Sequence, residues 1–248
     1  MNVLPIPAFQ DNYIWLIVDE DKQTALCVDP GDTTPVIAFL EAENLRLKAI
    51  LLTHHHFDHS DGVNELLRLN TGLPVYGPKD SRIPQVNHIM KDGDRLPLPP
   101  CQFQIIATPG HTATHISYYE PHYGWLFCGD TLFSAGCGRV FDGTIEELYA
   151  SLQKFKALPD DTLVYSAHEY TRQNLRFAAT VEPENLAIRR HALRLLENKN
   201  QCSLPSNIAL EKQINPFFRT DNIVIEKEKA IDSLSVFKQL RAQKDIFS

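Results

Sequence analysis

The segment LKAILLTHHHFDHSDG, residues 47–62, constrains this chain more than any other, because an apolar run leads directly into four histidines and two aspartates. The apolar residues predict a short buried strand. Burying imidazole and carboxylate groups without partners costs free energy, so such a cluster indicates that these groups bind a shared ligand. In layered α/β folds, ligands bind where strands end. The segment therefore predicts a ligand site at the end of a strand.

The backbone decides where the side chains of this segment point. In an extended chain alternate side chains face the same way, so His54 and His56 are expected at one locus, with His55 directed away from it. Asp58 continues the alternation, and His59 departs from it, as in a chain that turns into a helix. We therefore expect Asp58 and His59 at a second locus nearby. Imidazole and carboxylate are natural ligands of zinc, iron and manganese.

Three further candidate ligands follow strand-like runs elsewhere in the chain. They are His111 in IIATPGHT, Asp130 in WLFCGDTLF and His168 in LVYSAHEYT. Each one alone is weak evidence, but together with the cluster they make seven candidates at corresponding strand ends. Seven ligands are too many for one tetrahedral site, and a structural zinc site usually recruits cysteine, which is not near. The pattern therefore predicts a site that holds more than one metal ion.

The distribution of strand and helix signals predicts an α+β fold with two domains. Thr144 and Glu147 have the spacing of a capping box at the start of one helix, TIEELYASLQKFKAL. After about residue 170 strand signals fade and amphipathic helices follow, at 184–201 and 227–244. We predict a catalytic domain of residues 1–170 and a smaller all-helical domain of residues 171–248. The strand-like runs are 13–18, 25–29, 47–52, 74–76, 103–108, 116–119, 125–128 and 162–166, and a further helix is expected over 36–42.

Composition excludes several classes of partner. The chain has 248 residues and a net charge of −7, whereas nucleic-acid-binding surfaces carry a basic balance. No apolar run approaches the ~18 residues of a membrane span. The N-terminal segment lacks the pattern of a signal peptide. The five cysteines include no C-x-x-C pair, which favours a reduced compartment. We expect a cytoplasmic monomer that binds neither nucleic acid nor membrane.

Four motifs in fixed order carry a resemblance to a known family. THHHFDH, TPGHT, FCGDTLF and AHEYT resemble the signature of metallo-β-lactamase-fold hydrolases. AGCGRVFDGT, the HEYT motif and the terminal R-x-x-KD-x-F resemble more narrowly the glyoxalase II, or hydroxyacylglutathione hydrolase, family. The likeness extends over nearly the whole chain. It implies an αββα sandwich followed by a smaller helical C-terminal domain.

The resemblance also implies a dinuclear metal site that serves as the catalytic centre. Two divalent transition-metal ions are expected, with zinc preferred and iron or manganese also compatible. Ions about 3.5–4 Å apart can share a water and lower its pKa towards 7. The resulting hydroxide would attack the thioester, with Asp58 and Asp130 as the catalytic residues. One ion would be held by His54, His56 and His111, the other by Asp58, His59 and His168, with Asp130 bridging them.

The implied substrate is S-D-lactoylglutathione, or another S-2-hydroxyacylglutathione, hydrolysed to glutathione and D-lactate in the second step of methylglyoxal detoxification. Arg241 and Lys244 share one helix face. Their spacing alone is equally typical of a solvated helix end. The resemblance implies that they bind the glycine carboxylate of glutathione, and that Arg139, Phe141 and Tyr170 contact the peptide. Arg139 replaces the lysine of many relatives, and Phe141 replaces the tyrosine of some.

Other functions remain open at this stage. A β-lactamase of this fold would usually lack an acid at position 130, and a nuclease would need a basic surface. A glutathione-persulfide dioxygenase would use one iron and would lack the long helical tail. A regulatory metal-binding module would not turn over a substrate. Cys128 and Cys137 lie in suggestive positions, but no cysteine nucleophile is required.

Overall fold

The computed structural model describes residues 1–19, 21, 23–197, 202–223 and 232–247. Parts of the two helices predicted in the tail, 198–201 and 227–231, lie outside the described residues. Within the described chain, two six-stranded sheets and one short hairpin account for the strands. The tail adds several helices and one short strand to this framework.

The first sheet has the strand order β1-β2-β3-β4-β5-β6 and the second has the order β14-β13-β10-β9-β8-β7. The strands of the first sheet are β1 Asn2–Ala8, β2 Asn12–Asp19, β3 Thr24–Val28, β4 Arg46–Leu51, β5 Val75–Gly77 and β6 His88–Ile89. Those of the second are β7 Arg95–Leu98, β8 Cys101–Ala107, β9 Ile116–Glu120, β10 Trp125–Gly129, β13 Leu163–Ser166 and β14 Ser206–Asn207, while β11 Leu132–Phe133 pairs with β12 Gly136–Cys137. The helices are α1 Thr33–Ala42, α2 Phe57–Ser60, α3 Val63–Leu69, α4 Ile145–Lys156, α5 Thr171–Val181, α6 Leu186–Glu197, α7 Ile208–Ile214 and α8 Ser233–Asp245.

Strand alternation explains the layering. On β2, Trp15 and Ile17 face the second sheet and pack with Phe103 and Phe127 from its strands. The intervening residues face the opposite way, where Leu16 packs in a cluster with α1 and α3. The outer face of the second sheet is covered by α4 and by the helices of the tail. Because side chains of successive strand residues leave on opposite faces, both sheets bury both faces. The result is the expected αββα sandwich with a helical C-terminal region.

Several local predictions are confirmed. Thr144 Oγ1 accepts a hydrogen bond from the Glu147 amide at 3.2 Å, and the Glu147 carboxylate accepts from the Thr144 amide at 2.8 Å, which completes the capping box at α4. Strand β1 was not predicted from the sequence, because Pro5 and Pro7 interrupt its apolar pattern. Proline is tolerated there since β1 lies at the edge of its sheet.

The tail is more closely joined to the sandwich than a purely helical domain would be. Ser206 pairs with Val164, so that β14 extends the second sheet beside β13. The helices α5 and α7 also lacked a clear sequence signal. Within the described residues, none of the helices combines the length and apolar character that a membrane crossing requires.

Parallel pairing brings the chemically distinctive segments together. Strand β3 pairs in parallel with β4, and β10 pairs in parallel with β13. The carboxyl ends of parallel neighbours lie at the same edge of a sheet. Residues 53–59 follow β4, Asp130 follows β10 and His168 follows β13, so all of them emerge at one edge of the sandwich.

Candidate metal centre and substrate cavity

The histidine cluster changes conformation at its middle. The backbone is extended up to His56, with φ −59° and ψ 147°, and the helix α2 begins at Phe57. The expectation that Asp58 continues an extended alternation is therefore wrong. Asp58 and His59 are instead neighbours within one helical turn, and both still reach the same locus because the turn begins directly beside it.

Three imidazoles meet at the first locus. His56 Nδ1 lies 3.0 Å from His54 Nε2 and 3.0 Å from His111 Nε2. His54 and His111 are buried, while His56 is partly exposed at the edge of a cavity. The three nitrogens lie close enough together to ligate one ion. This is the arrangement predicted for the first metal.

The second locus combines a carboxylate with two imidazoles. Asp58 Oδ2 lies 3.4 Å from His59 Nε2 and 3.4 Å from His168 Nε2. Asn12 Nδ2 donates a 2.9 Å hydrogen bond to the same carboxylate oxygen and orients it. The three side chains form a second group whose ligand atoms could share one ion.

Asp130 lies between the two loci and presents one oxygen to each. Its Oδ1 is 3.5 Å from His59 Nε2 and 3.4 Å from His168 Nε2. Its Oδ2 is 3.5 Å from His111 Nε2. A carboxylate with this placement can ligate two ions at once, as the bridging role requires.

The other ring nitrogen of most of these histidines is already engaged. Such contacts fix the tautomer and leave the remaining nitrogen free for a metal. The partners are Thr53 Oγ1 at 3.0 Å from His54 Nδ1, Asp29 Oδ2 at 3.1 Å from His59 Nδ1, the Arg139 carbonyl at 2.8 Å from His111 Nδ1, and Asp11 Oδ1 at 2.8 Å from His168 Nδ1.

Asp29 supports both loci through one buried carboxylate. It accepts hydrogen bonds from the Thr53 amide at 2.8 Å and the Thr53 hydroxyl at 2.7 Å, and it contacts His59 directly. Its φ of 53° is unusual for a residue other than glycine. The sequence analysis placed Asp29 only at the end of the strand-like run 25–29 and did not assign it this role.

His115 and Gly129 position the bridging carboxylate. The Asp130 amide donates to His115 Nε2 at 3.3 Å, and the His115 ring stacks on His54 with centroids 4.9 Å apart. A Cβ atom at Gly129, which has a φ of 48°, would lie 2.4 Å from Thr53 Oγ1. Only glycine therefore allows this close approach. His115 was not among the predicted site residues.

The electrostatics differ between the two loci. Burial lowers the pKa of His56 to about 4, and the neighbouring imidazoles reinforce this. At the second locus burial also opposes protonation, but Asp130 and Asp11 outweigh it and raise the pKa of His168 to about 9. Burial likewise opposes ionisation of Asp130, yet the imidazoles of His168 and His59 hold its pKa well below the usual value. The first locus therefore offers neutral nitrogens, and the second offers anionic oxygens.

The residues present fit divalent metal ions. His59 Nε2 and Asp130 Oδ1 are buried and make no hydrogen bond within the described part of the chain. Buried polar atoms without partners are costly, and a cation placed between them would satisfy both. Nitrogen and carboxylate donors without thiolate suit zinc, iron or manganese.

His55 and the cysteines stand apart from this centre. His55 Nδ1 lies 3.6 Å from Asp80 and contributes to none of the ligand groups found among the described residues. Burial raises the pKa of Cys128 to about 12 and that of Cys137 to about 11, so neither thiol is prepared to act as a nucleophile.

A cavity of about 540 Å³ opens onto the metal face. It brings ligands from both loci together with all five residues predicted to bind substrate. Tyr170 stacks on the His168 ring at 4.7 Å, and the Phe141 ring meets His56 edge-on at 5.0 Å. The lining comprises His56, Phe57, Asp58, His111, Asp130, Phe133, Cys137, Arg139, Phe141, His168, Tyr170, Gln173, Asn174, Arg241, Lys244 and Phe247.

The cations of the cavity are not equivalent. Arg241 is buried, donates to the Cys137 carbonyl at 2.8 Å and pairs with Asp245 at 3.0 Å. Lys244 Nζ lies 5.6 Å and 5.3 Å from the ring centroids of Phe177 and Phe247. Burial, reinforced by the nearby arginines, lowers the pKa of Lys244 to about 8. Arg139 is mostly exposed. Arg139 Nε lies 3.5 Å from Asp245, but the side chain is more exposed than that of Arg241, so Lys244 and Arg139 are freer than Arg241 to bind an anion.

Glu211 anchors the loop that leads to Arg139. Its buried carboxylate accepts from the Ser134 hydroxyl at 2.9 Å, the Ala135 amide at 2.8 Å and the Asn215 amide group at 2.9 Å. The tail thus holds the cavity loop as well as supplying residues to the cavity. No sequence pattern distinguished Glu211 from exposed acidic residues of the tail such as Glu197 and Asp245.

Sequence comparisons show which known proteins the chain resembles. The profile of the metallo-beta-lactamase superfamily matches residues 9–168, and that of the hydroxyacylglutathione hydrolase C-terminus matches residues 169–247. A hydroxyacylglutathione hydrolase from Legionella pneumophila is 53% identical, with 100% of both chains covered. Another from Yersinia enterocolitica is 48% identical, again with 100% of each covered.

A solved structure also resembles the chain over most of its length. The protein TTHA1623, in a di-iron-bound form, superposes with a TM-score of 0.63 at 25% identity, with 88% of this chain and 100% of that one covered. The two irons were observed in TTHA1623.

Proposed function

The chain belongs to the hydroxyacylglutathione hydrolase family of the metallo-beta-lactamase superfamily, and from this premise we propose that it hydrolyses S-D-lactoylglutathione. As an enzyme of this family it acts on thioesters of glutathione derivatives. The finer assignment to S-2-hydroxyacylglutathiones, releasing glutathione and D-lactate, is our proposal. One observation carries it: ligands from both groups line the same cavity as Lys244 and Arg139. We place the reaction in the second step of methylglyoxal detoxification, in a cytoplasmic monomer.

We assign two divalent ions to the centre, with zinc preferred and iron or manganese also compatible. His54, His56 and His111 would hold one ion, Asp58, His59 and His168 the other, with Asp130 between them. The two irons of TTHA1623 support this number. When bound, such ions supply a water of lowered pKa and a positive charge for the developing oxyanion.

The residues of the chain then prepare the reaction. Asp58 Oδ2, fixed by Asn12, is placed to accept a hydrogen bond from the attacking water and so orient it. Asp130 keeps the two loci at a constant separation, because each of its oxygens faces one of them. Tyr170 stacks on His168 and forms the wall along which the thioester sulfur would lie.

The peptide part of the substrate carries carboxylates, which the cationic end of the cavity would bind. Lys244 and Arg139 are the cations available there, while Arg241 supports the loop beneath them. Charge-assisted hydrogen bonds to carboxylates are stronger than neutral ones. Phe141 supplies a ring without a hydroxyl group, so it contributes packing against His56 and His111.

The test is hydrolysis of S-D-lactoylglutathione by protein whose metal content is measured on the same preparation. We expect turnover with close to two ions per chain, and no turnover after chelation until metal is restored. A lactoyl thioester without the peptide should be a much poorer substrate. Oxygen consumption with glutathione persulfide, without thioester hydrolysis, would contradict the proposal and favour the dioxygenase alternative.

A further inference from the structure

Two exposed aromatic side chains border the metal centre and have no role in the core. Phe9 is 53% exposed and Phe57 is 66% exposed. Their rings meet edge to face, with centroids 6.3 Å apart. Large aromatic side chains gain free energy from burial, so an exposed pair at a site marks a surface on which a ligand can pack.

The position of the pair ties it to the reacting centre. Phe57 lies between His56 and Asp58 in the chain and lines the same cavity. Phe9 begins the turn that contains Asp11 and Asn12. Asp11 is the hydrogen-bond partner of His168, and Asn12 donates a hydrogen bond to Asp58. Phe57 therefore belongs to the segment that supplies Asp58 and His59, and Phe9 to the turn whose residues support the second metal locus.

The turn that carries Phe9 is held in place although its side chain is exposed. Phe9 has a φ of 51°, a conformation rarely adopted by bulky residues. The Glu169 amide donates to the Asp11 carbonyl at 2.8 Å, and Asn12 bonds to Asp58. Strained backbone conformations persist where the surroundings over-determine them, and they cluster at functional sites.

The rest of the cavity already has an assigned partner. Its cationic end suits the anionic peptide, and two of its other aromatic rings, Phe141 and Tyr170, pack against the ligand histidines. Among the described residues, the only ring in aromatic contact with Phe57 is that of Phe9. The part of the proposed substrate that remains beyond the reacting carbonyl is the acyl substituent, which joins a 2-hydroxyl group to an apolar side chain.

We propose that Phe9 and Phe57 form a subsite for the acyl substituent and favour 2-hydroxyacyl groups that bear an aryl or branched alkyl side chain. This inference rests on the proposed function and specifies its substrate class. An aryl substituent can make an edge-to-face contact with the Phe57 ring, whereas the methyl group of lactoyl is too small to contact both rings.

The experiment compares S-D-mandeloylglutathione, which carries a phenyl substituent, with S-D-lactoylglutathione. We expect Phe57→Ala to lower the ratio of the two kcat/KM values, mandeloyl over lactoyl, by about tenfold, and Phe9→Ala to lower it by about threefold. Phe57→Leu should retain part of the preference. Leu69→Ala, which removes a side chain that is 60% exposed on α3, is the matched control and should leave the ratio unchanged. Metal content is measured for every variant.

Each outcome decides one of the two proposals. If Phe57→Ala lowers both kcat/KM values in equal proportion, the subsite is refuted and the thioesterase function stands. If the wild-type protein hydrolyses neither thioester, the proposed function fails, and the subsite is then judged by calorimetry on metal-loaded protein. In that measurement D-mandelate should bind more weakly to Phe57→Ala than to wild type, and D-lactate should not. Equal affinities for D-mandelate would refute the subsite as well.

Discussion

The two ends of the cavity are built on different principles. At the metal end the candidate ligands come from the sandwich, and His54, His59, His111 and Asp130 are buried. At the peptide end the cations come from one loop and from the last helix, and Arg139 is mostly exposed. Most ligand histidines have a fixed second hydrogen bond, whereas Lys244 contacts only aromatic rings among the interactions observed.

This contrast follows from what each end has to do. Catalysis requires positions accurate to a fraction of an ångström. The side chains that ligate the metals therefore need neighbouring residues that hold them rigidly. Binding a flexible anionic peptide requires charge at roughly the right place, for which long cationic side chains suffice. Arg241 is the exception at the peptide end, because its buried guanidinium bonds to the Cys137 carbonyl and behaves as a structural group. Substitutions should therefore affect kcat at one end and KM at the other.

The largest effect is expected at the bridge between the metal loci. Asp130→Ala should lose both ions and lower kcat by about a thousandfold or more, because both loci depend on its oxygens. Elemental analysis together with thioester hydrolysis provides the measurement. The exposed residue Asp61 supplies the control Asp61→Ala, which should keep both ions. A fully active Asp130→Ala protein with one tightly held ion would refute the dinuclear centre.

Substitutions of Asp58 and His55 test which side chains of the histidine cluster point towards the metal loci. Asp58→Ala should lower kcat by roughly a hundredfold or more, because it removes a ligand and the group that orients water. His55→Ala should mainly lower stability, by about 1 kcal/mol, since it removes a contact near Asp80. Steady-state kinetics and thermal unfolding separate the two. Equal losses of kcat in both folded variants would show that His55 also acts at the metals.

Asp11 tests whether support behind a ligand matters at the metal end. Asp11→Ala removes the 2.8 Å partner of His168. Loss of such a partner lowers metal affinity by about 10–100-fold, and the second ion should be affected more than the first. Competition with a chelator measures both affinities. The variant Asp161→Ala, at an exposed carboxylate, is the control. Unchanged affinity for both ions would mean that the imidazole is held by packing alone.

Lys244 and Arg241 sharpen the description of the peptide end. Lys244→Ala should raise KM about tenfold with little change in kcat, because a partly exposed charge-assisted hydrogen bond is lost. Arg241→Ala should also lower the unfolding temperature, since it leaves buried groups without their donor. A small thioester without the peptide should be hydrolysed equally by wild type and Lys244→Ala. If that substrate suffers the same loss, Lys244 supports the active site rather than the peptide.

The smallest effect concerns pH. The lowered pKa of Lys244, about 8, means that its ammonium group is charged at neutral pH and loses its charge as pH rises through 8. Binding of an anionic peptide is therefore stronger below this pKa, and KM should rise by about threefold between pH 7 and pH 9. Lys244→Arg keeps its charge and should remove this rise. An identical KM profile in both proteins would show that another group causes it.

Sequence reasoning was most successful where function leaves a dense local pattern. The cluster at 54–59 places four proposed ligands within six residues, and the other three each follow a strand. The structure brings all seven to one edge, where Asp130 lies within 3.5 Å of His59 and His111, and the capping box at α4 has the expected contacts. The conformation within the cluster was less predictable, because a helix of four residues leaves no periodicity to recognise.

The supporting residues could not be identified in this way. Asp11 is separated from His168 by 157 residues, and Asp29 is separated from Thr53 by 24. Before folding, each of them is an ordinary polar residue in a turn. His115 and Glu211 are similar cases, since their roles depend on neighbours from other strands and helices.

The sequence by itself therefore determined the chemistry of the centre, its place at strand ends and, through its motifs, the family and the layered fold. Only the tertiary structure decided which groups hold the ligands, and which cations are free. Arg241 and Lys244 share one helix face and both line the cavity, yet Arg241 is buried and bonded to a backbone carbonyl, whereas Lys244 lies over the rings of Phe177 and Phe247. The physical reason is that metal ligands are recognised by residue type and spacing, whereas burial and hydrogen bonding depend on segments that meet only in the folded chain.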